Sequence, residues 1–265
     1  MPMCASLYYR SHDDGGAHFQ HPVIFIHGMG GSHLAWPPRL RHLPGKKTYA
    51  IDLPAHGKSP GAACSSLSIL TERLERFLNE MGFYRVILVG HSMGSAIAFQ
   101  FAQTNPGRVQ GMVMISCGTQ FHTPDEFHRI AEKNHNQAQM QAYFHHTAFH
   151  QSFPRKIRRE VLRPMAGMRS STLRADMAAG TSFKARPNTR LEGPTLIICG
   201  DSDLFVPLHA VFSIQYMLPR TQLHILGNTG HMAVFERTEA IRTDLTRFFN
   251  QFDRQELSGY RYSLS

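Results

Sequence analysis

Short, almost wholly apolar runs closed by glycine or a polar turn alternate along the chain with stretches of helical period. The runs at 22–28, 48–53, 85–90, 110–117, 195–200 and 222–226 read as buried strands. Val86, Ile87, Leu88 and Val89 leave no polar position, as expected of a strand covered on both faces by helices. Between them, Leu67, Leu70, Leu74, Phe77, Leu78 and Met81 form a helical stripe that Gly82 ends. The stretches 96–102 and 241–249 read as helices in the same way.

Strand and helix in alternation predict an α/β fold with a doubly wound, mostly parallel sheet. In such a sheet ligand chemistry lies outside the carboxyl ends of the strands. That rule directs attention to the residues just after Phe25-Ile26, Leu88-Val89, Ile197-Ile198-Cys199 and Ile225-Leu226. The alternation breaks once, from about 119 to 192, where His, Arg, Met, Gln and Phe replace the strand pattern. The expected organisation is therefore a core domain of residues 1–118 and 195–265, with a helical cap, 119–194, inserted between two core strands.

Hydrophobic residues at 42% and charged residues at 18% suit a globular protein with a substantial core. No apolar run approaches the roughly 20 residues of a membrane-spanning helix, and residues 1–10 lack the features of a secretory signal. The cysteines at 4, 64, 117 and 199 form no CxxC pair, and Cys117 and Cys199 sit in apolar runs. They read as buried thiols of a cytoplasmic protein, a disulfide between them being the lesser alternative. The net charge is +9, and the stretch 119–194 holds 12 Lys and Arg against 6 Asp and Glu. With no lysine tract and no DNA- or RNA-binding signature, a nucleic-acid partner is not expected. His146 and His150 share a helical face but have no carboxylate or cysteine partner nearby, so no metal site is expected.

The strongest local signal is Gly90-His91-Ser92-Met93-Gly94, between an apolar strand and the helical Ser95-Ala96-Ile97-Ala98-Phe99. A serine between glycines at such a junction is held on a sharp, strained turn with its hydroxyl outward. The helix starting there also points its positive end at the reacting oxygen. Ser92 is accordingly the candidate nucleophile. With 17 histidines, residue type alone selects no base, but His231 follows the last strand and Gly230, from where it can reach across the sheet edge. Asp201 and Asp203 both lie just past the strand ending at Cys199, and strand position does not choose between them.

These residues, with His27-Gly28-Met29-Gly30-Gly31-Ser32, Asp52-Leu53-Pro54-Ala55-His56-Gly57-Lys58-Ser59 and Gly200-Asp201-Ser202-Asp203 before Val206-Pro207, resemble the α/β-hydrolase superfamily. The likeness is to its small esterase, lipase-like and C–C hydrolase branch, and it spans essentially the whole chain in the order Ser, Asp, His. It implies a catalytic triad of Ser92, His231 and Asp203, with Asp203 favoured over Asp201 as standing three residues after the glycine. It further implies an oxyanion hole made by the backbone N–H groups of Met29 and Met93, and structural roles for His27, Asp52 and His56.

The expected activity is hydrolysis of a small-molecule carboxylic ester through an acyl-enzyme, with no metal or cofactor. Phe121, Phe127, Met140, Tyr143, Phe144, Phe149, Phe153, Met165 and Met168 are the candidates for an apolar acyl pocket, Phe144 and Phe149 foremost. A C–C bond hydrolase of a vinylogous diketone shares every motif and stays open beside thioester, lactone and amide hydrolases. A non-catalytic ligand-binding member of the fold is the alternative outside enzymes.

Overall fold

A computed structural model describes residues 2–13, 15, 21–133, 137–186, 191, 193–218 and 220–259, the side chains of 253–259 excepted. Strands β1 (Met3–Cys4) and β2 (Leu7–His12) precede β3 (Val23–Ile26), helix α1 (Pro38–Arg41) and β4 (Thr48–Ile51). Helix α2 (Leu67–Glu80), β5 (Val86–His91), α3 (Met93–Thr104) and β6 (Val109–Ile115) follow. Next come α4 (Asp125–Glu132), α5 (Gln137–Thr147), α6 (Arg155–Ala166) and α7 (Ser170–Thr181), with no strand among the described residues between them. The described chain ends with β7 (Thr195–Gly200), α8 (Leu208–Met217), β8 (Thr221–Leu226), α9 (Ala233–Glu236) and α10 (Thr238–Gly259).

The eight strands form one sheet in the order β1-β2-β4-β3-β5-β6-β7-β8. Only the β1–β2 and β2–β4 pairs are antiparallel. Successive side chains of a strand point to opposite faces, and the core divides accordingly. Ile24, Ile26, Leu88, Met112, Met114 and Ile197 pack with α2, α3 and α8. Val23, Phe25, Ile87, Val89, Val113 and Ile198 pack with α1 and α10 on the other face. This double covering is why these strands read as uninterrupted apolar runs.

Strand order reverses between β3 and β5, whose register pairs Ile26 with Gly90. Their carboxyl ends therefore emerge side by side, bringing the loop after Ile26 against the turn at Ser92. Helix α3 then packs tightly on β3. A Cβ at Gly94 would fall 2.1 Å from the Ile26 carbonyl oxygen and 2.7 Å from that of His27.

Three parts of the fold depart from the hydrophobic pattern, the first being β8, expected to be buried but lying half-exposed at the sheet edge. Strand β2 carries exposed Arg10 and Ser11, and its pairing partner, 48–51, lies some forty residues on. Helix α8 is apolar nearly throughout yet leaves Phe212 and Tyr216 exposed, so it shows no clean stripe. Cys117 and Cys199 are free and buried, not joined, and burial pushes the Cys199 thiol up to about 12. Among the described residues no helix is long and apolar enough to cross a membrane.

The Gly94 contact leads to a stability prediction. Gly94→Ala is expected to cost about 1–3 kcal/mol or more, because an inserted methyl must displace backbone. Gly107→Ala, where an added Cβ meets nothing within 4 Å, should stay within about 0.5 kcal/mol of the parent. Equal denaturant midpoints for the two variants would contradict the packing argument.

Candidate active site

Ser92 stands between the end of β5 and the start of α3 with φ 53° and ψ −122°. A non-glycine residue in this region is strained, and only surroundings that over-determine the backbone keep it there. Here Ser92 N–H donates to Ile115 O at 2.8 Å, and the Ser92 carbonyl receives Ser95 N–H at 2.9 Å. A Cβ at Gly90 would meet the Ser95 backbone N at 2.3 Å. The glycines before and after the serine thus allow the helix to approach both strands closely.

The turn brings three sequence-predicted side chains together. Ser92 Oγ lies 2.8 Å from His231 Nε2, and His231 Nδ1 lies 2.8 Å and 3.0 Å from the two Asp203 oxygens. The carboxylate makes His231 Nδ1 the donor, which leaves Nε2 as acceptor for the serine hydroxyl. Asp203 is buried and its Oδ1 also accepts from Phe205 N–H at 2.9 Å and Val206 N–H at 3.0 Å. Asp201 instead accepts from Asn228 N–H, Thr229 N–H and the Ser202 hydroxyl, and so braces the two loops locally.

The His231 loop is held from several directions. Its carbonyl accepts from His91 Nε2 and from Ser116 Oγ, both at 2.9 Å. On one side of it, Gly230 N–H donates to Glu236 Oε1 at 3.0 Å, whose other oxygen accepts His150 N–H at 2.9 Å. On the other, Met232 N–H donates to Ala148 O at 2.9 Å. Segment 148–150, between α5 and α6, thus lies directly on the loop that carries His231. Burial pushes the Glu236 carboxyl above its usual range, despite those donors and the charges of Arg158 and Arg237. His91, Ser116 and Glu236 were not singled out from sequence. His91 lies inside the serine motif, but nothing in the chain marks the other two.

Met29 and Met93 line the same pocket as Ser92. Met93 is the first residue of α3, where a backbone N–H has no intrahelical acceptor. Residues 28–31 form a turn closed by Gly31 N–H to Gly28 O at 3.1 Å, with Gly30 at φ +67°. The pocket, of about 100 Å³, is walled by Phe121, Phe127 and Phe144, by Val161, Leu162 and Met165 of α6, and by Phe205 and Phe235. Lys and Arg are absent from its described lining. Phe149, expected there, is not part of the lining, because its ring stacks on Phe153 at 5.5 Å with the Arg158 guanidinium 5.9 Å away. Met140, Tyr143, Phe153 and Met168 are likewise outside it.

Behind the pocket lies a network of buried histidines. His27 Nε2 accepts Leu53 N–H at 3.0 Å, so its Nδ1–H donates to Gly28 O at 2.8 Å. Burial and the nearby His56 charge lower its pKa to about 4. His33 Nδ1 and Lys58 N–H both bond Asp52, tying the loops after β3 and β4. His56 differs, because both ring nitrogens face acceptors: Nδ1 meets Pro54 O at 2.9 Å and Nε2 meets Asp176 Oδ2 at 2.8 Å. Burial lowers its pKa, but the Asp176 charge and hydrogen bond, Pro54 O and the Asp52 charge together raise it above the ordinary value. Asp176, on α7, also accepts Gly30 N–H at 2.9 Å. No group of three or more potential metal ligands occurs among the described residues.

Comparison with known proteins places this geometry in a wider set. The sequence profile of the alpha/beta hydrolase fold matches residues 21–179. A 2-hydroxy-6-oxononadienedioate/2-hydroxy-6-oxononatrienedioate hydrolase from Paraburkholderia phymatum is 28% identical over 253 residues, covering 86% of this chain and 87% of its own. The sn-1-specific diacylglycerol lipase ABHD11 of Danio rerio is 24% identical, covering 79% of this chain and 72% of its own. A thermophilic esterase from Thermogutta terrifontis superposes with a TM-score of 0.81 at 17% identity, covering 92% of this chain and 93% of its own.

The His56–Asp176 pair should leave a mark on stability. With a folded pKa above its unfolded value, near 6.5, His56 contributes stability that is complete below about pH 6.5. That contribution is lost as pH rises through the folded value. Denaturant midpoints of the parent should therefore fall on alkalinisation across this window, and those of His56→Gln should fall less. Parallel curves would show that the pair is not charged.

Proposed function

The chain belongs to the α/β hydrolase fold family, and from that premise we propose that it hydrolyses neutral carboxylic esters bearing an apolar acyl group. The observation that carries this reading is the pocket over Ser92, apolar and without Lys or Arg in its described lining. The hydrolase of P. phymatum is named for a dioate, which carries two carboxylates at neutral pH. Desolvating two carboxylates with no cationic partner in the pocket lining is expensive. C–C bond cleavage of a vinylogous diketone is the second reading, favoured by the 28% identity to that hydrolase.

In the proposed reaction Ser92 Oγ attacks the ester carbonyl as His231 Nε2 takes its proton. The N–H groups of Met29 and Met93 receive the negative oxygen, each donor being worth about 3 kcal/mol. The carbon–oxygen bond to the alcohol then breaks and His231 returns the proton to the leaving alcohol. Water, deprotonated by His231, attacks the acyl-enzyme, and collapse of the second tetrahedral intermediate releases the acid and restores Ser92. Asp203 holds the Nδ1–H tautomer and stabilises the imidazolium. The helices within 119–194 act as the cap, their aromatic and methionine side chains selecting the acyl chain.

Residue roles are tested by substitution. A fluorophosphonate should label the parent and not Ser92→Ala, whose turnover should fall by about 10^5- to 10^6-fold. Asp203→Asn should lose about 10^4-fold, and Asp201→Asn far less. An unlabelled but folded parent would make the protein a binding module, and a reversed ranking of the aspartates would move the acid to position 201.

Substrate class is tested with 4-nitrophenyl esters of increasing acyl length beside a vinylogous diketone diacid. The esters should turn over at least about tenfold faster in kcat/KM, which is about 1.4 kcal/mol of transition-state discrimination. Phe144→Ala should shift the acyl-length preference, whereas Phe149→Ala should lower stability and leave that preference in place. Faster cleavage of the diacid would reverse the assignment in favour of C–C hydrolysis.

A further inference from the structure

Asp176 is distant in sequence from every motif described above, yet its Oδ2 atom ties three segments together. It sits on α7, is almost fully buried, and forms part of the pocket wall. That one oxygen accepts Gly30 N–H at 2.9 Å and His56 Nε2–H at 2.8 Å. Gly30 follows Met29, and the two are the central residues of the turn closed by Gly31 N–H to Gly28 O. Gly30 has φ +67° while Met29 is not among the residues with positive φ, which makes the turn type II. Types I and II differ by a flip of the central peptide, here the one joining Met29 to Gly30. The Asp176 carboxylate accepts the N–H of that peptide and so selects one of the two orientations. The flipped form would turn the Met29 carbonyl towards the carboxylate and the pocket, placing like partial charges together.

A bare carboxylate at this place would oppose the negative charge of a tetrahedral intermediate. His56 removes the difficulty. With acceptors at both nitrogens it carries two protons, and its charge cancels that of Asp176 inside the protein. We propose that Asp176 is a positioning residue that, from the inserted helix α7, holds the Met29–Gly30 peptide with its N–H rather than the Met29 carbonyl towards the pocket, and so fixes the turn that presents Met29 N–H, on the preceding peptide, to the reacting oxygen, with His56 as its counter-charge. The inference rests on the acyl-enzyme reading above and deepens it: the inserted segment sets the oxyanion loop as well as the substrate pocket.

The experiment compares the parent with Asp176→Ala, Asp176→Asn, His56→Gln and the double variant His56→Gln/Asp176→Asn. Each is measured for kcat and KM on a 4-nitrophenyl ester, and for inhibition by an alkylboronic acid, which forms an anionic tetrahedral adduct with serine. Asp176→Ala, with no acceptor, should lose on the order of 10- to 100-fold in kcat with KM within about threefold, and boronate affinity should weaken in parallel. Asp176→Asn keeps an oxygen acceptor at the same place and should recover most of the loss. His56→Gln leaves the carboxylate uncompensated and should lower kcat and boronate affinity about tenfold, and the double variant should regain them. A folded Asp176→Ala protein within twofold of the parent, or one whose loss lies in KM alone, overturns the proposal. If Asp176→Ala does not fold, His56→Gln and the double variant decide: equal boronate affinities overturn it. A parent that neither turns over esters nor binds the boronate overturns the acyl-enzyme reading itself, and this inference with it. A fully active parent with an unaffected Asp176→Ala overturns this inference alone.

Discussion

The rest of the site depends on how closely α3 approaches β3. Position 94 has no room for a side chain, since the Ile26 carbonyl oxygen lies where a Cβ would be. With α3 seated there, the chain leaving β5 must reverse within a single residue, and Ser92 takes the positive φ that this requires. The β3–β5 register then sets the loop after Ile26 beside the serine. A helix one side chain further out would relax the turn and carry Ser92 and Met93 together away from Met29. Strain at Ser92 is thus imposed by packing on the sheet and held by the hydrogen bonds of a central strand.

Of the helices between β6 and β7, α6 supplies part of the pocket wall with Val161, Leu162 and Met165. The segment between α5 and α6 supplies backbone groups. Ala148 O and His150 N–H reach the His231 loop, the second through Glu236. Gly230 allows this, because a Cβ there would fall 2.7 Å from His150 N. Segment 148–150 thus shares hydrogen bonds with the very loop that carries the imidazole. Displacing that segment would therefore disturb the His231 geometry.

Burial and pairing set three histidines near the site apart from one another. His27 and His91 are enclosed without a carboxylate bonded to the ring, and burial lowers both to about 4, so they are neutral donors to carbonyl groups. His56 is nearly as buried, but a carboxylate at hydrogen-bond distance reverses the outcome and raises it. Desolvation disfavours the charged form unless an opposite charge is paid in by a neighbour. The same side chain thus serves as a neutral strut in two places and as half of an ion pair in the third.

What the sequence determined by itself was the part of the fold encoded locally. Continuous apolar runs mark the doubly covered strands β3 to β7, the stripe from Leu67 to Met81 marks α2, and glycine spacing around Ser92 marks the turn. Such signals survive because each depends on residues within a few positions of one another. Strand β2 was not legible, since its burial comes from pairing with β4 far along the chain. Phe149 shows the same limit: composition made it a pocket residue, while packing on Phe153 withdrew it. Strand position did not choose between Asp201 and Asp203, and only the resemblance favoured Asp203; the tertiary structure put Asp203 on His231 and Asp201 on the backbone of 228–229. Asp176 was invisible in a segment without periodicity, because its partners, Gly30 and His56, lie 146 and 120 residues away. Only the closing of the chain decides contacts of that span, since no local preference of backbone or side chain records them.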